Sequence, residues 1–385
     1  SLDQNLDMIA ESVAWVREQG RTVVYDAEHY FDGYKANREY ALNTLRAARE
    51  AGARDLVLCD TNGGTLTNEL LDILTDTRDT LEADPDAPRV TWGIHTHNDA
   101  ELAVANTLAA VAAGVRHVQA TINGYGERCG NANLVSIIPA LALKTGIPVL
   151  DGEQLERLSE TAHFVADIVN VAIWAHAPYV GRSAFAHKGG LHVAAVQKMP
   201  QTFEHIDPTV VGNEQRILIS ELSGKGAVLR KAQEIGLELE GDDARVGTVL
   251  KRLKEREHDG YHYEAADASF ELLLREELAP REPLFRLESF RVIVEKREDG
   301  RAVVEATIKV HVNGDRIIST AEGNGPVNAL DTALRQAIAR KYPNLDAISL
   351  VNHRVRILDE TKGTGAATRV LLDASDGDES WGSIG

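Results

Sequence analysis

The stretch that decides the fold is GIHTHNDAELAVANTLAAVAAGVRHVQATINGYGERCGNAN, residues 93–133. It starts inside an apolar segment, 90–95, that predicts a β-strand. A helix follows, with apolar residues at helical spacing: Leu102, Ala105, Leu108, Ala109 and Ala112. Gly114 ends that helix, 117–121 is the next predicted strand, and a glycine-rich loop leads into a helix over about 132–144. The stretch therefore predicts two successive βα units.

The same unit occurs twice more towards the N-terminus. Strands are predicted over 21–26 and 55–60, with helices over 37–51 and around 70–74. The segment AGARDLV at 51–57 repeats as AGVRHVQ at 113–119. Four βα units with short turns predict a parallel sheet covered by helices, and both a doubly wound sheet and a (β/α)8 barrel fit. In either fold ligands lie at the carboxyl ends of the strands, where this chain concentrates polar residues: Asp26/Glu28, Asp60/Thr61, His95/His97 and Thr121/Asn123.

The pattern changes twice after residue 150. Helices are predicted over 153–171, 223–236 and 242–257, and APREP at 279–283 has the composition of a linker. Beyond it, strands alternate over 290–296 and 302–312 around an Asp299-Gly300 turn, and a second turn at 313–315 leads to a third strand. A helix over 325–340 and strands over 347–358 and 368–373 follow, while 376–385 is polar and has no clear boundary. We predict three domains: residues 1–150, a helical region 151–284, and an α+β domain 285–385.

Composition excludes several classes of protein. The 385 residues carry 41 Lys+Arg and 59 Asp+Glu, a net charge of −18, which argues against a nucleic-acid partner. No apolar run approaches the roughly 20 residues of a membrane helix. The two distant cysteines, Cys59 and Cys129, indicate a reduced, cytoplasmic protein. The first residue is Ser1, so we expect the chain to begin within a longer gene product.

A possible metal site lies at His95-Thr96-His97. On a strand, residues i and i+2 point to the same face, so two imidazoles can converge on one ion, while Asn98 and Asp99 can orient them or cap the next helix. The alternative is a pair of solvated or hydrogen-bonded histidines. The position at the carboxyl end of a strand, among carboxylates, favours a metal, and the donors suit Mg²⁺, Mn²⁺, Fe²⁺ or Zn²⁺ alike.

The loop at 123–132 provides further candidate groups. Its three glycines permit close approach of the backbone to a ligand, Asn131 can offer a carbonyl oxygen to a metal, and Arg128 can fork to a carboxylate or to Glu127. The alternative is a structural βα loop with an Asn near a helix cap. Glycines at 124, 126 and 130 do not match a dinucleotide fingerprint, and Lys225 lacks the spacing of a phosphate loop.

Together these strings resemble the family that condenses acetyl-CoA with α-keto acids, the isopropylmalate, homocitrate and citramalate synthases. The resemblance rests on HTHND (95–99), LAVAN (102–106), TINGYGERCGN (121–131), AHKGGLH (186–192) and IDP (206–208) before VG (211–212). The tail, with GPVNAL (325–330) and GTG (363–365), is similar to the family's regulatory domain. Within the family, YDAEH (25–29), CDTNGG (59–64) and ERCGNANL (127–134) most resemble the citramalate synthase branch.

The resemblance implies a (β/α)8 barrel with a divalent metal ion (Mg²⁺, Mn²⁺ or Zn²⁺) bound by His95, His97 and Asn131. It implies condensation of acetyl-CoA with pyruvate, with the metal as Lewis acid. His192 would serve in acid/base work, often from the partner subunit, although a structural histidine in a glycine-rich turn is the alternative. We also assign Glu28 a catalytic role, and Thr121, Thr61 and Arg128 substrate binding. The regulatory domain implies a homodimer and an amino-acid effector, isoleucine or leucine.

The sequence departs from the family pattern in two places. The opening D-T-T-L-R-D-G-type motif, with a metal-binding Asp and a catalytic Arg, does not occur, so we expect only about the C-terminal half of the barrel in this chain. Phe203 stands where the family usually has Tyr, which removes a hydroxyl but keeps a ring. The alternatives to a citramalate synthase are an isopropylmalate or homocitrate synthase, a metal-dependent lyase or aldolase on the same barrel, and a non-catalytic fragment that retains dimerisation and amino-acid sensing.

Overall fold

The computed structural model describes residues 1–188, 190–217, 225–234, 236, 244–263, 266–278, 282–296, 298–358 and 360–385. The chain forms two compact units. Unit 1 comprises 1–186 and 204–216, and unit 2 comprises 187–203 and 217–385. The predicted linker at 279–283 lies largely outside the described residues, because 279–281 are not among them.

Unit 1 alternates strands and helices over most of its length. Its elements are α1 (Leu2–Glu18), β1 (Val24–Ala27), α2 (Tyr30–Ala36), α3 (Arg38–Ala51), β2 (Asp55–Asp60), α4 (Thr67–Glu82), β3 (Thr91–Thr96), α5 (Ala103–Ala112), β4 (His117–Gln119), α6 (Leu134–Pro139) with a π-helical turn (Ala140–Thr145), α7 (Gly152–Glu156) and α8 (Leu158–Val169). The four strands form one sheet in the order β1-β2-β3-β4, and every pair is parallel. The predicted α/β class and parallel sheet are confirmed.

The repeat seen in the sequence is also a structural repeat. Gly52 and Gly114 end α3 and α5 with the same left-handed φ of 104°. The arginine two residues after each glycine donates its backbone N–H to the preceding strand, Arg54 to Val23 O at 2.9 Å and Arg116 to Trp92 O at 3.0 Å. Only glycine adopts this φ without steric cost, so the short helix-to-strand turn depends on it.

The core of unit 1 lies between the sheet and helices α1 to α4. Every residue of β2 is buried, as expected for a strand covered on both faces. The cluster includes Phe31, Leu45, Leu58 and Leu74, all inaccessible to solvent. Burial of these side chains removes apolar surface from water, which is the main favourable term in folding.

The sheet is strongly curled. Gln119 on β4 donates its side-chain N–H to the Asp26 carboxylate on β1 at 2.8 Å, although two strands lie between them. In a flat sheet β1 and β4 would be roughly 14 Å apart, three spacings of about 4.8 Å. This curvature is that of strands on a barrel wall.

The helix predicted over 153–171 is interrupted. Asp151 caps α7 through a capping box, and Arg157, with φ −85° and ψ 3°, separates α7 from α8. Leu155 and Leu158, on either side of the break, both enter one apolar cluster, which also contains Val135 and Val211. The apolar pattern is therefore that of one helix, although the backbone turns at Arg157.

Unit 2 contains helices followed by antiparallel sheets. Two short strands, β5 (Ala186–His187) and β6 (Arg216–Ile217), occur where the chain passes between the units. The helices are α9 (Gly190–Lys198), α10 (Lys225–Glu234), α11 (Ala244–His258) and α12 (Asp267–Leu278); then come β7 (Arg286–Lys296), β8 (Ala302–Val312), β9 (Asp315–Gly323), α13 (Pro326–Ile338), β10 (Ser349–Ile357), β11 (Thr368–Ser375) and β12 (Ser380–Ile384). Strands β7 to β9 form one antiparallel sheet and β10 to β12 another. The three domain boundaries given above remain predictions.

The sequence did not predict several elements of unit 2, among them α9, or did not predict their ends. Strand β12 lies in the polar tail, where Gly382 N–H bonds to the Asp267 carboxylate of α12 at 2.8 Å, a long-range contact that local composition does not reveal. Helix α12 itself was not predicted, and β7 begins at Arg286, four residues earlier than expected. Across the described parts of the chain, no helix is both long and apolar enough to cross a bilayer.

Replacement of a buried strand residue tests this description of the core. We expect Leu58→Ala, at a fully buried position, to lower the free energy of unfolding by about 2–5 kcal/mol through lost burial and a cavity. The matched control is Leu66→Ala, where the side chain is 62% exposed and little should change. Urea unfolding followed by circular dichroism measures both. Equal effects of the two substitutions would contradict the assigned core.

Candidate functional site

His95 and His97 lie together at the carboxyl end of β3. Their imidazole rings stack with centroids 5.2 Å apart and planes inclined by 19°. Thr96, between them, points the other way and is buried, with its hydroxyl bonded to Ala103 O at 3.0 Å. The alternation of the strand thus presents both imidazoles on one face, as predicted.

Backbone pairing brings the glycine-rich loop to the same place. Ala132 N–H donates to Thr96 O and Asn98 N–H to Gly130 O, each at 2.9 Å, so that His97 and Asn131 oppose each other as in an antiparallel pair. The loop therefore pairs with the chain at the end of β3, and this pairing places Asn131 beside the two histidines. This confirms the spatial proximity on which the predicted set His95, His97 and Asn131 depends.

Two glycines of the loop are required by close contacts within the chain itself. A Cβ at Gly126 would overlap the Asn131 side-chain amide, and one at Gly130, whose φ is 92°, would overlap Gly124 O. The sequence predicts that these glycines let the backbone approach a ligand; in the structure they make room for Asn131 and for the turn. Their role in the structure is to set the position of a candidate ligand side chain.

Both ring nitrogens of His95 contact a side-chain amide oxygen. Its Nε2 lies 2.8 Å from Asn131 Oδ1, and its Nδ1 lies 2.8 Å from Gln119 Oε1. Gln119 is in turn bonded to Asp26, as described above. Sequence reasoning missed Gln119, because only the parallel register, which pairs His95 with Gln119 across β3 and β4, shows that they are neighbours.

His97 presents an unpaired nitrogen. Within the part of the chain that the structure describes, its Nδ1 is buried and has no hydrogen-bond partner. Burial lowers the pKa of His97, and the neighbouring His95 and Arg128 act in the same direction, while Asp99 and Glu28 oppose them. A neutral imidazole with an unsatisfied nitrogen is the form that coordinates a metal.

The three side chains fit a divalent cation as a partial ligand set. Among the described residues, no three His, Cys, Asp or Glu side chains are grouped as metal ligands usually are. Two imidazoles and one amide oxygen nevertheless offer three uncharged donors, suited to the borderline and hard ions predicted from the sequence. The 2.8 Å between His95 Nε2 and Asn131 Oδ1 is near the roughly 3 Å that separates adjacent ligands about 2.1 Å from a shared ion.

Arg128 joins three loops at the mouth of the site. Its guanidinium donates to both Asp99 carboxylate oxygens, at 2.7 and 2.9 Å, and to Thr61 O at 2.6 Å. The backbone of Arg128 is in the left-handed region, with φ 56°. Such a bidentate pair is directional as well as attractive, and it holds the pKa of Asp99 below its usual range. The predicted fork from Arg128 to a carboxylate is present, and in this structure Asp99 is that carboxylate.

Asn98, the residue before Asp99, accepts the Ala103 N–H at 3.2 Å and caps the start of α5.

The other predicted side chains surround this cluster. The Thr121 hydroxyl donates to Tyr125 O at 2.6 Å, and the Thr61 hydroxyl accepts the His29 N–H at 2.8 Å. Glu28 is exposed, and its charge reaches His97. Their assigned roles in substrate binding and catalysis stay predictions.

His192 lies in unit 2, on α9, and is therefore described apart from the histidine pair. It is exposed and stacks on Phe203, with ring centroids 4.1 Å apart and planes inclined by 28°. Phe203 is itself 46% exposed and touches His187 edge-on. The phenyl ring thus supports His192 without the hydroxyl that a tyrosine would add, and the catalytic role of His192 stays a prediction.

Comparison with protein-family models divides the chain into three matches. Residues 1–165 match the HMGL-like family, residues 179–260 match the homocitrate synthase post-HMGL domain-like family, and residues 264–385 match the LeuA allosteric (dimerisation) domain. The first match covers the sheet that carries His95, His97 and Asn131.

Comparison with curated proteins finds relatives over the whole chain. The (R)-citramalate synthase of Synechocystis sp. is 51% identical, and that of Streptomyces coelicolor is 50% identical; each match covers 100% of this chain and 71% of the relative. A probable 2-isopropylmalate synthase of Methanopyrus kandleri is 30% identical, over 98% of this chain and 71% of the relative.

The Asp99–Arg128 pair predicts a pH dependence of stability. Because the folded-state pKa of Asp99 is lowered, its contribution is fully present above the ordinary value of 3.8 and is lost as the pH falls through the lowered value. We expect Asp99→Asn to be less stable than the wild type at neutral pH and the difference to shrink below pH 3.8. Urea midpoints across this range measure it. Asp79→Asn, at an exposed position of α4, is the control; a difference that grew on acidification would contradict the assignment.

Proposed function

The chain belongs to the family of (R)-citramalate synthases, and on that premise we propose that it condenses acetyl-CoA with pyruvate to give (R)-citramalate and CoA. One observation within the structure carries the proposal: His95, His97 and Asn131 converge at the carboxyl end of a parallel sheet, where α/β enzymes bind their ligands. Identity of 51% over the whole chain supports the choice of reaction.

The reaction forms one carbon–carbon bond and cleaves one thioester. A base removes a proton from the methyl group of acetyl-CoA, and the resulting carbanion attacks the keto carbon of pyruvate, whose oxygen is protonated. Water then cleaves the thioester, which leaves a carboxylate and releases the CoA thiol. A divalent cation, Mg²⁺, Mn²⁺ or Zn²⁺, supplies Lewis acidity at the keto group when it is bound.

The chain's own residues prepare this site in distinct ways. His95, His97 and Asn131 are the proposed metal ligands, and burial lowers the pKa of His97, which favours its neutral form. The Arg128–Asp99 pair fixes the loops at the mouth of the site, so we propose that Arg128 contacts the substrate carboxylate from a guanidinium already oriented by Asp99. Thr121 and Thr61 are proposed to complete substrate binding.

Acid and base roles are proposed for Glu28 and His192. Glu28 follows β1 at the same edge of the sheet and is close enough for its charge to act on His97. His192 is supported by Phe203 and exposed to solvent, which leaves its ring accessible to a second protomer or to substrate. Histidine is the side chain most often used for proton transfer near neutral pH.

The alternative substrates are less well supported. A 2-isopropylmalate synthase would use the same residues with a larger keto acid, but the relative of that name is 30% identical against 51% and 50% for two (R)-citramalate synthases. A lyase or aldolase would use the same sheet, yet the match to the LeuA allosteric (dimerisation) domain favours a regulated synthase.

Unit 2 supports the proposal of an amino-acid effector. A cavity of about 840 Å³ lies between α13 and strands of both sheets, with apolar walls and with Asp331, Arg335 and His353 among its polar groups. Asp331 and Arg335 pair with each other at 2.8 Å beside this apolar space, and we propose that a branched amino acid, isoleucine or leucine, binds there. Apolar residues exposed on β7 and β10, such as Phe290 and Val351, support the proposed homodimer.

The cellular setting is also part of the proposal. Both cysteines are free thiols, Cys59 buried and Cys129 exposed, which suits the reducing cytoplasm. We place the reaction in isoleucine biosynthesis.

Release of CoA tests the proposed reaction. With acetyl-CoA, pyruvate and Mn²⁺, we expect CoA release that requires both the keto acid and the metal, measured on the 385-residue chain and on the product of its complete reading frame. Replacement of pyruvate by a branched keto acid should lower the rate. Equal release without any keto acid, or none with any keto acid from either protein, would contradict the proposal.

Two histidine variants provide the matched comparison for that assay. His97→Gln should lower the rate by at least the 10²-fold expected for loss of an ion that polarises the keto group. His163→Gln, at an exposed position of α8, should leave it unchanged.

Calorimetry with isoleucine and leucine tests the effector. We expect one of the two to bind the wild-type chain with measurable heat. Leu350→Glu, which adds a carboxylate to the apolar wall at a half-exposed position, should abolish that heat, whereas Leu272→Glu, 60% exposed on α12, should not. Absence of heat with both amino acids would remove the effector from the proposal.

A further inference from the structure

Gln119 connects the histidine pair to the first strand of the sheet. It lies on β4, directly beside His95 in the parallel register. Its Oε1 is 2.8 Å from His95 Nδ1, and its Nε2 donates to Asp26 Oδ1 on β1 at 2.8 Å. A single half-buried amide therefore spans a carboxylate and an imidazole.

The orientation of this amide is fixed by chemistry. A carboxylate accepts hydrogen bonds, so the Gln119 NH₂ group must face Asp26, and the amide oxygen must face His95. Reversal would place an amide oxygen against a carboxylate oxygen and would leave two acceptors in contact without a proton. Asp26 thus determines which atom Gln119 presents to the histidine.

That orientation determines the tautomer of His95. An amide oxygen accepts, so Nδ1 of the neutral ring carries the hydrogen and Nε2 carries the lone pair. On its other side, Nε2 faces Asn131 Oδ1, also an acceptor, because the Asn131 amide nitrogen is bonded to Tyr125 O at 3.3 Å. Two lone pairs 2.8 Å apart are stabilised when they share a cation.

We propose that Gln119 is a positioning residue that, anchored by Asp26, fixes His95 as the Nδ1–H tautomer and turns its Nε2 lone pair towards the metal shared with Asn131. The inference rests on the metal site of the proposed function. Partners of this kind, behind a ligating histidine, fix the ring and its tautomer, and their loss weakens metal binding by about 10–100-fold.

Titration of Mn²⁺ into the 385-residue chain, with free Mn²⁺ measured by electron paramagnetic resonance, tests the proposal. Gln119→Leu keeps the size of the side chain and removes the acceptor, so the dissociation constant should rise by about 10–100-fold. Gln119→Glu combined with Asp26→Asn keeps an oxygen opposite Nδ1 and lets the new amide at position 26 donate to the new carboxylate, so this double variant should restore most of the affinity. Gln215→Leu is the matched control, because Gln215 donates to Glu204 at 2.9 Å in the same way, away from the histidine pair.

The outcomes separate this inference from the proposed function. If the wild type binds Mn²⁺ and folded Gln119→Leu binds it equally well, Gln119 has no positioning role and the metal site stands. If the double variant of Gln119→Glu and Asp26→Asn binds as weakly as Gln119→Leu, the acceptor is not what matters and the inference is wrong. If the wild type binds no Mn²⁺, both the inference and the metal site fail.

A spectroscopic measurement on the wild type does not depend on how the variants fold. In ¹⁵N-histidine-labelled chain with Zn²⁺, long-range ¹H–¹⁵N correlation should show a proton on Nδ1 of His95, assigned by its absence in His95→Gln. In Gln119→Leu this proton signal should weaken or move relative to the wild type. A proton on Nε2 of His95 in the wild type would overturn the proposal.

Discussion

Backbone hydrogen bonds between the glycine-rich loop and the end of β3 are the constraint on which the candidate site depends. Ala132 N–H to Thr96 O and Asn98 N–H to Gly130 O attach the loop to the strand, and Asn131 N–H to Gly124 O, at 3.0 Å, closes it on itself. These bonds require the left-handed φ of Gly124 and Gly130. These backbone bonds hold Asn131 beside His95.

Curvature of the sheet supplies the second constraint. Asp26, Gln119, His95 and Asn131 form one continuous chain of polar contacts, each 2.8 Å long, from the first strand to the loop after the fourth. In such a chain each group fixes the hydrogen-bond direction of the next. The carboxylate of Asp26 therefore determines the orientation of the Gln119 amide and, through it, that of the His95 imidazole. The atom that His95 turns towards Asn131 therefore depends on a residue two strands away.

The sequence predicted regular elements where periodicity or turn residues specify them locally. Strand β2 was placed at 55–60 and β8 at 302–312 with correct bounds, and α3 within one residue. It did not predict α2, which has seven residues and is too short to show a helical period, or β12, which is held by contacts with α12 far away in the chain. The single helix expected over 153–171 is interrupted at Arg157, because apolar spacing at i and i+3 is the same on both sides of the turn and does not reveal it.

The sequence by itself determined which chemical groups reach the carboxyl ends of the strands: two imidazoles at i and i+2, an amide after a run of glycines, and an arginine able to fork to a carboxylate. These follow from strand alternation and from the order of βα units, both of which are local. Only the tertiary structure decided that Asp99 is the partner of Arg128 and that Gln119 stands between Asp26 and His95. Strand register and sheet curvature set those pairings, and both arise from packing of the whole unit, which no local stretch of sequence specifies.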